Sequence, residues 1–262
     1  MNILFIGDIF GKPGRTAIAK ELPSVVKDNN IDLVIANAEN TTHGKSITVE
    51  HYKQLKDAGV NLFTLGNHTW NIDEIYEVLK NKDVVRPLNV SSKFLKESTS
   101  GNGTIVVDHN GVKIRLTNLL GQAIPMHGLQ TNPFLVLDRL TEIDKSDIHI
   151  VDFHAETTSE KNALMLAFKG KVSAILGTHT HVQTADEKLD GGTLYITDVG
   201  MTGPANGIIG AEPSTLIDMF FERRDRFKLS VAPGKYQFCA VVLSFDDNNK
   251  PIGIKRIYNI EK

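Results

Sequence analysis

Short polar clusters whose side chains could bind metal ions follow several apolar runs of the chain. Carboxylate, amide and imidazole groups are ligands that first-row transition metals take from proteins. Each run, such as residues 3–6 or 172–176, is typical of a buried β-strand. Because ligands bind outside the carboxyl ends of parallel strands, we expect the clusters to share one site if the strands share one sheet. The clusters are Asp8, Glu39-Asn40, Asn67-His68, His154, His179-Thr180-His181 and Asp198.

Two of the imidazoles, on His179 and His181, are two residues apart and can face one site if the backbone is extended. An isolated histidine pair is more often a surface feature or a hydrogen-bonded part of the core. An isolated Glu39-Asn40 pair is more often a turn or a helix cap. These structural alternatives become less convincing because each further polar cluster at a strand end would need a separate structural explanation. His154 adds a third imidazole at a strand end.

Together the candidate ligands are numerous enough for two metal ions. Glu39 is the natural bridging ligand, because a carboxylate can give one oxygen to each of two cations. Two metals about 3.5 to 4 Å apart can activate a hydroxide and neutralise phosphoryl oxygens, although two-metal sites also hydrolyse peptides and amides. Mixed nitrogen and oxygen ligands suit iron, manganese, zinc, cobalt or nickel. The seven candidates are Asp8, Glu39, Asn40, Asn67, His154, His179 and His181.

Other polar residues are expected beside the metals or in structural positions. His68 follows a candidate ligand, so we expect it outside the coordination shell, either as a general acid for the leaving oxygen or as a group that orients a ligand. His43 is a candidate to touch a substrate phosphate. Asp152 and Asp198 are expected to support histidine ligands, with direct coordination as the alternative for Asp198. Structural or surface positions are expected for His51, His109, His127 and His149.

The elements that must position these residues indicate one α/β domain over residues 1–262. Apolar strand-like runs alternate with amphipathic segments, which is typical of this class. One further helix is expected to start at Asn71, where Asn71 and Glu74 have the spacing of a capping box. The other predicted helices cover residues 14–29, 49–58, 133–143 and 159–168.

Antiparallel strands are predicted in two places. An Asn-Gly turn joins residues 104–107 to 112–116, and a polar turn joins residues 237–245 to 252–258. These hairpins indicate a second sheet, or antiparallel edges beside the parallel part. The glycine-rich residues 200–210 lack a clear period and are a candidate lid or substrate-binding loop.

Composition and charge exclude several classes of protein. The 262 residues are 41% hydrophobic and 23% charged, as in soluble globular proteins. A net charge of -2 gives no electrostatic footprint for duplex nucleic acid or anionic lipid. No apolar stretch approaches the roughly 20 residues of a membrane span, and the first strand stands where a signal peptide would, so a cytoplasmic protein is expected. The single cysteine, Cys239, excludes an internal disulfide and is expected to be a buried, inert thiol.

Several of these motifs resemble those of the calcineurin-like metallophosphoesterase superfamily. The matching pieces are Gly7-Asp8, Gly66-Asn67-His68 and Gly177-Thr178-His179-Thr180-His181. Two departures point to one branch: Asp8-Ile9-Phe10 lacks the histidine of the usual Asp-x-His motif, and Glu39-Asn40 stands where Gly-Asp is usual. Both departures match the bacterial YmdB-like phosphodiesterases, which the chain resembles over nearly its whole length.

This resemblance implies a four-layer αββα sandwich, with two sheets between helices, and hydrolysis of cyclic nucleotide phosphodiesters that include 2′,3′-cyclic forms. The family is associated with iron or manganese and with homo-oligomers. By position, the resemblance implies that Asp8, Glu39, Asn40 and His181 bind a first metal. It implies that Glu39, Asn67, His154 and His179 bind a second metal and that His68 is the general acid.

The expected function is therefore a dinuclear-metal phosphodiesterase, in which a metal-activated hydroxide attacks phosphorus and His68 protonates the departing ribose oxygen. Hydrolysis of 3′,5′-cyclic nucleotides stays open at this point. A phosphomonoesterase, including a phosphoprotein phosphatase, is the nearest alternative because it uses the same metals. A regulatory scaffold with RNA-related partners and a vestigial site is the alternative from another class. The complete ligand set and the near-neutral charge argue against that scaffold.

Overall fold

Two β-sheets with helices on their outer faces form the part of the chain that the structure, a computed structural model, describes: residues 1–90, 101–126, 130–223 and 228–262. In chain order the elements are β1 (Asn2–Ile6), β2 (Asp8–Ile9), α1 (Gly11–Asp28), β3 (Leu33–Asn37), α2 (Val49–Asp57), β4 (Leu62–Thr64), a 3₁₀ turn (Thr69–Asn71), α3 (Ile75–Val78), β5 (Val84–Val85), β6 (Thr104–His109), β7 (Val112–Leu120), α4 (Pro133–Ile143), β8 (Ile148–His154), α5 (Thr158–Phe168), β9 (Ala174–Thr178), β10 (Lys188–Asp190), β11 (Thr193–Ile196), β12 (Met201–Pro204), α6 (Pro213–Phe220), β13 (Tyr236–Phe245) and β14 (Pro251–Ile260).

The strands that precede the polar clusters are divided between the two sheets. The first sheet has the order β2-β12-β13-β1-β3-β4-β5, with β14 paired to β13, and the second has the order β10-β11-β9-β8-β7-β6. Strands β1, β3 and β4 are mutually parallel in the first sheet. Strands β8, β9 and β11 are mutually parallel in the second. The clusters therefore end strands of two sheets, as a sandwich of two sheets requires, and not of one sheet.

Alternating side chains divide the core into three layers. In β1, Ile3 and Phe5 pack between the two sheets, whereas Leu4 and Ile6 pack against the helices of the first sheet. Successive side chains of a strand point to opposite faces, so each strand supplies both layers. In β8, Phe153 packs on the outer face with residues of α4 and α5. Burial of both faces explains the continuous apolar runs, and the predicted four-layer sandwich is confirmed.

Four of the predicted helices are present, while the one expected at Asn71 is wrong. Asn71 closes the short 3₁₀ turn, and the carboxylate of Glu74 accepts a hydrogen bond from the backbone nitrogen of Val49 instead of capping a helix. The contact with Val49 therefore uses the Glu74 carboxylate that the local sequence pattern assigned to a helix cap. Helix α1 starts three residues earlier than expected and continues through Pro23.

Both predicted hairpins are present, and each contributes antiparallel pairing to a sheet edge. The glycine-rich stretch was expected to lack regular structure, but it begins with β12, which pairs with β2 and β13. Cys239 is buried in β13, and burial raises the pKa of its thiol to about 12, in agreement with an inert thiol. Within the described ranges, no helix has both the length and the apolar character needed to cross a membrane.

Candidate metal centre

All seven predicted ligands lie at carboxyl ends of parallel strands, where edges of the two sheets meet. The oxygen ligands all follow strands of the first sheet, and the imidazoles all come from the second sheet. Asp8 follows β1, Glu39 and Asn40 follow β3, Asn67 follows β4, His154 ends β8, and His179 and His181 follow β9. The predicted convergence of strand ends is therefore present, although it joins two sheets.

Four of the predicted ligands form a tight group around Nε2 of His154. This nitrogen lies 3.1 Å from Oε1 of Glu39 and 3.0 Å from Oδ1 of Asn67. It also lies 3.1 Å from Nδ1 of His179. Ligand atoms of Glu39, His154 and His179 all lie within 4.8 Å of one another. Such a gathering of lone-pair atoms is suited to a cation between them.

The other three predicted ligands form a second group around Nε2 of His181. This nitrogen lies 3.3 Å from Oδ1 of Asn40 and 3.9 Å from Oδ1 of Asp8. Asp8 is fully buried, and its Oδ1 has no hydrogen-bond partner. Its other oxygen accepts a hydrogen bond of 3.2 Å from the backbone nitrogen of His179. A buried carboxylate oxygen without a partner is costly, and a bound cation would satisfy it.

A chain of hydrogen bonds fixes the ring of His154. The hydroxyl of Thr178 donates to Oδ1 of Asp152 over 2.6 Å and lies 2.9 Å from Nδ1 of His154. A hydroxyl has one proton, which here goes to the carboxylate, so Nδ1 of His154 donates to Thr178. Nε2 is thereby directed into its ligand group. Asp152 supports His154 as expected, but it does so through Thr178, which the sequence motif contained without revealing this role.

Acceptor oxygens also hold the outward nitrogens of the other two imidazoles. Nδ1 of His181 lies 2.8 Å from the carbonyl oxygen of Ile209. Nε2 of His179 lies 2.8 Å from Oε2 of Glu156. Carbonyl and carboxylate oxygens accept, so these nitrogens carry protons and the opposite nitrogens present lone pairs to the ligand groups. In their neutral form, all three imidazoles are therefore held in the tautomer that can bind a cation.

A buried ion pair holds the loop that carries His179 and His181, whose backbones have left-handed φ angles of 95° and 68°. Between them, the backbone nitrogen and the hydroxyl of Thr180 donate to Oδ2 of Asp198 over 3.1 and 2.7 Å. Nζ of Lys161 donates to the same oxygen over 2.7 Å. Among the described residues Asp198 bonds no imidazole, so the expectation that it supports a histidine ring is wrong. It supports the loop backbone.

Lys161 is a supporting residue that the sequence analysis missed. It lies on the buried face of α5, and both it and Asp198 are 1% exposed. The signal was present in the sequence, because a lysine occupies the apolar stripe of a helix, where lysine is rarely found without a partner. The other buried positions of that face are Leu164, Met165 and Phe168.

The electrostatics of the buried cluster also favour a positive charge. Burial raises the pKa of Asp8 to about 6, although the imidazoles of His181 and His154 limit the rise. Burial lowers the pKa of His154, but the carboxylates of Glu39 and Asp8 outweigh it and raise that pKa to about 9. Burial and the neighbouring His154 lower the pKa of His179 to about 3. A metal ion that binds here would compete with a proton on His154.

Gly66 brings its backbone against the ligand atoms and supplies a test of the site. A Cβ at this position would lie 2.2 Å from Oε2 of Glu39 and 2.5 Å from Nε2 of His154. We expect Gly66→Ala to displace these groups and to lower metal affinity about 10-fold or more, measured as metal content by plasma mass spectrometry. Gly253→Ala is the matched control, because a Cβ there meets nothing within 4 Å. Equal metal content in both variants would contradict the ligand roles.

His68 lies beside the ligand groups and not within them. Its backbone nitrogen donates to Oε2 of Glu39 over 3.0 Å. Its Nδ1 lies 3.1 Å from Nδ2 of Asn71, an amide donor, so Nε2 carries the proton of the neutral ring. Burial lowers the pKa of His68, while the charge of Glu39 acts to raise it. Because Nδ1 faces Asn71, Nε2 is the nitrogen left to exchange a proton with a ligand, as an acid or base catalyst requires.

A cavity of about 480 Å³ adjoins the ligand groups and has polar and apolar walls. Glu39, His68 and His179 line its polar side. His43, the predicted phosphate contact, also lines it, together with Lys45, which the sequence analysis did not single out. His149 is buried and paired with Asp144, as expected of a structural residue. His127 lies outside the described residues.

Comparisons with known proteins decide the family. A family model described as YmdB-like protein matches residues 4–257. The chain belongs to the YmdB-like family. A 2′,3′-cyclic-nucleotide 2′-phosphodiesterase of Bacillus subtilis is 41% identical over 264 residues, which cover 98% of this chain and 96% of the relative. The crystal structure of a novel phosphatase from Mycoplasma pneumoniae is 44% identical, with a TM-score of 0.95, and the match covers 99% of this chain and 93% of that one.

Membership in the YmdB-like family confirms the resemblance that the sequence motifs indicated. The YmdB-like chain is an enzyme, a hydrolase of the phosphatase and phosphodiesterase class. Its fold extends to more distant proteins: the structure of a 5′-nucleotidase from Candida albicans matches with a TM-score of 0.57 at 14% identity, over 98% of this chain and 50% of that one. That match bears on the fold alone.

Proposed function

We propose that this YmdB-like protein is a dinuclear-metal phosphodiesterase that hydrolyses cyclic nucleotide phosphodiesters, with 2′,3′-cyclic forms as the main substrates. The observation that carries the proposal is the presence of two adjoining ligand groups, each gathered around an imidazole held in the metal-binding tautomer. The Bacillus subtilis relative, which bears the name of a 2′,3′-cyclic-nucleotide phosphodiesterase, supports the choice of substrate.

Each ligand group would hold one metal ion, and Glu39 would serve both. The first ion would take Asp8, Asn40 and His181, and the second would take Asn67, His154 and His179. When bound there, two metal ions supply a nucleophilic water near neutral pH and neutralise phosphoryl oxygens. Iron and manganese are the metals proposed, with zinc as the alternative, because all three accept mixed nitrogen and oxygen ligands.

His68 is proposed to protonate the departing ribose oxygen. Asn71 holds its ring so that the Nε2 proton points away from that contact, and burial lowers its pKa, which makes the protonated ring a stronger acid. Lys45 and His43 line the same cavity and would attract and position the substrate phosphate. The chain would thus provide a proton donor and phosphate contacts beside the ligand groups.

The proposal is tested by turnover of matched substrates after metal loading. We expect protein loaded with Mn²⁺ or Fe²⁺ to hydrolyse 2′,3′-cyclic AMP. We also expect it to hydrolyse the diester bis-p-nitrophenyl phosphate faster than the monoester p-nitrophenyl phosphate. Removal of metal by a chelator should lower turnover at least about 100-fold, because bound metal ions stabilise the charge of the transition state by several kcal/mol and their loss raises the barrier by that amount. Added metal should restore it. Unchanged turnover in the chelated, metal-free protein would contradict the proposal.

A phosphomonoesterase is the second candidate, since the Mycoplasma pneumoniae relative bears the name phosphatase. Faster turnover of p-nitrophenyl phosphate than of the diester would favour it. A panel that includes 3′,5′-cyclic AMP would settle the range of cyclic nucleotides. A cytoplasmic location and a homo-oligomer stay predictions.

A further inference from the structure

A tight turn beside the metal centre contains a residue that does not suit it locally. Ile208 and Ala211 exchange both backbone hydrogen bonds, at 2.9 and 3.0 Å. The two residues between them, Ile209 and Gly210, both have positive φ angles, 45° and 100°. This is the geometry of a type I′ turn, which favours asparagine, aspartate or glycine at its first central position. A β-branched residue in the left-handed region is strained.

Packing in the protein core does not explain the isoleucine. Its side chain is 52% exposed, so much of its apolar surface stays in contact with water. Its carbonyl oxygen accepts from Nδ1 of His181, but asparagine or glycine would present the same carbonyl in the same turn. The contact with His181 therefore accounts for the turn and not for the side chain. Local rules that are broken in this way point to a functional constraint.

Ile209 borders a second cavity, with Arg256 and Tyr258, and it also lines the cavity beside the metal centre. There it forms an apolar wall together with Ala211, Leu216 and Leu229. Leu229 is also half-exposed, at 51%. The polar wall of the same cavity carries the ligand groups, His68 and Lys45. A ligand that fills the cavity therefore meets the ligand groups, His68 and Lys45 at one end and apolar side chains at the other, and the cavity volume of about 480 Å³ is ordinary for a small-molecule site.

We propose that Ile209 is a specificity-determining residue whose side chain, with Leu229, receives the nucleobase of the substrate. This inference rests on the proposed function, because it places the phosphate at the ligand groups. The turn would then set two things at once. Its carbonyl orients His181 on the phosphate side, and its side chain contacts the base on the apolar side. A phosphate ester without a base would depend on the orientation of His181 but would make no contact with the Ile209 side chain.

The test compares binding of two ligands that differ by the base. Adenosine 5′-monophosphate and ribose 5-phosphate are titrated by calorimetry into protein loaded with Mn²⁺. In the wild type we expect the nucleotide to bind at least about 10-fold more tightly than ribose 5-phosphate, as burial of an apolar face predicts. The quantity compared between variants is this ratio of the two affinities. Ile209→Asn should reduce this ratio about 3-fold or more, while the thermal midpoint stays equal or rises because asparagine suits the turn. Leu229→Ser, which leaves the turn intact, should reduce the ratio in the same direction.

Ile217→Asn is the matched control, because Ile217 is apolar and 42% exposed on α6 but does not line the cavity. The ratio should not change in this variant. A wild-type ratio near one, or a ratio that Ile209→Asn and Leu229→Ser leave unchanged, would overturn the inference. Equal weakening of both ligands by Ile209→Asn would also overturn it, since the residue would then act only through His181. If binding depends on the base through Ile209 and Leu229 but no cyclic nucleotide is hydrolysed, the proposed function fails, while the contact of these side chains with a nucleotide base is retained.

Discussion

Glu39→Gln is expected to lower metal content and turnover together, with a loss in kcat of about 10²-fold or more. The carboxylate is 1% exposed and approaches both His154 and the backbone of His68. Glutamine has the same shape but no charge, and only one of its two terminal atoms can bind a cation. If Glu39 serves both ions, its replacement weakens both, so plasma mass spectrometry should find less than the wild-type metal content.

Glu156→Gln is a matched control for that substitution. Glu156 contacts the same ligand group from outside through Nε2 of His179, but its side chain is 60% exposed. The same change of chemistry there should reduce turnover far less, because water and the glutamine oxygen can replace the lost acceptor. Thermal unfolding of both variants separates metal loss from misfolding. Wild-type metal content in Glu39→Gln would contradict a bridging role.

His68→Ala is expected to lower kcat for 2′,3′-cyclic AMP by about 10² to 10⁴-fold, the usual contribution of a positioned general acid. Metal content should stay at the wild-type level, because His68 lies outside both ligand groups. The loss should be much smaller with bis-p-nitrophenyl phosphate, since p-nitrophenolate leaves without protonation. Steady-state kinetics on the two substrates measures this difference directly.

His109→Ala is the control for the loss of an imidazole, because His109 ends β6 at a hairpin turn and does not line the cavity. We expect wild-type kinetics from it. An equal loss on both substrates in His68→Ala would indicate that His68 orients the site and does not donate the proton. Full turnover by His68→Ala would show that His68 neither donates the proton nor orients the site.

The sequence was sufficient to bring together all seven candidate ligands. Strand-end position and side-chain chemistry are local properties, and within each sheet parallel strands place their carboxyl ends at one edge whatever their order. The division of these strands between two sheets was not readable from spacing. It depends on which strands pair, as in β1 with β13 or β8 with β7, and such pairing joins residues distant in sequence.

The predictions that were wrong share a physical cause, which is a tertiary contact that overrides a local preference. Glu74 bonds Val49 instead of capping a helix at Asn71. Asp198 bonds Lys161 and the loop backbone instead of an imidazole. Such departures are expected near functional sites.

The separation of oxygen ligands and imidazoles between the two sheets has a mechanical consequence. Contacts across the centre join residues far apart in the chain: Asn67 and His154 are separated by 87 positions, and Asp8 and His179 by 171. A metal ion shared by the two sheets would close these long loops and stabilise the folded chain by restricting the unfolded one. Cys239 has no second cysteine with which to form a disulfide. In this protein the reaction centre would itself be the cross-link.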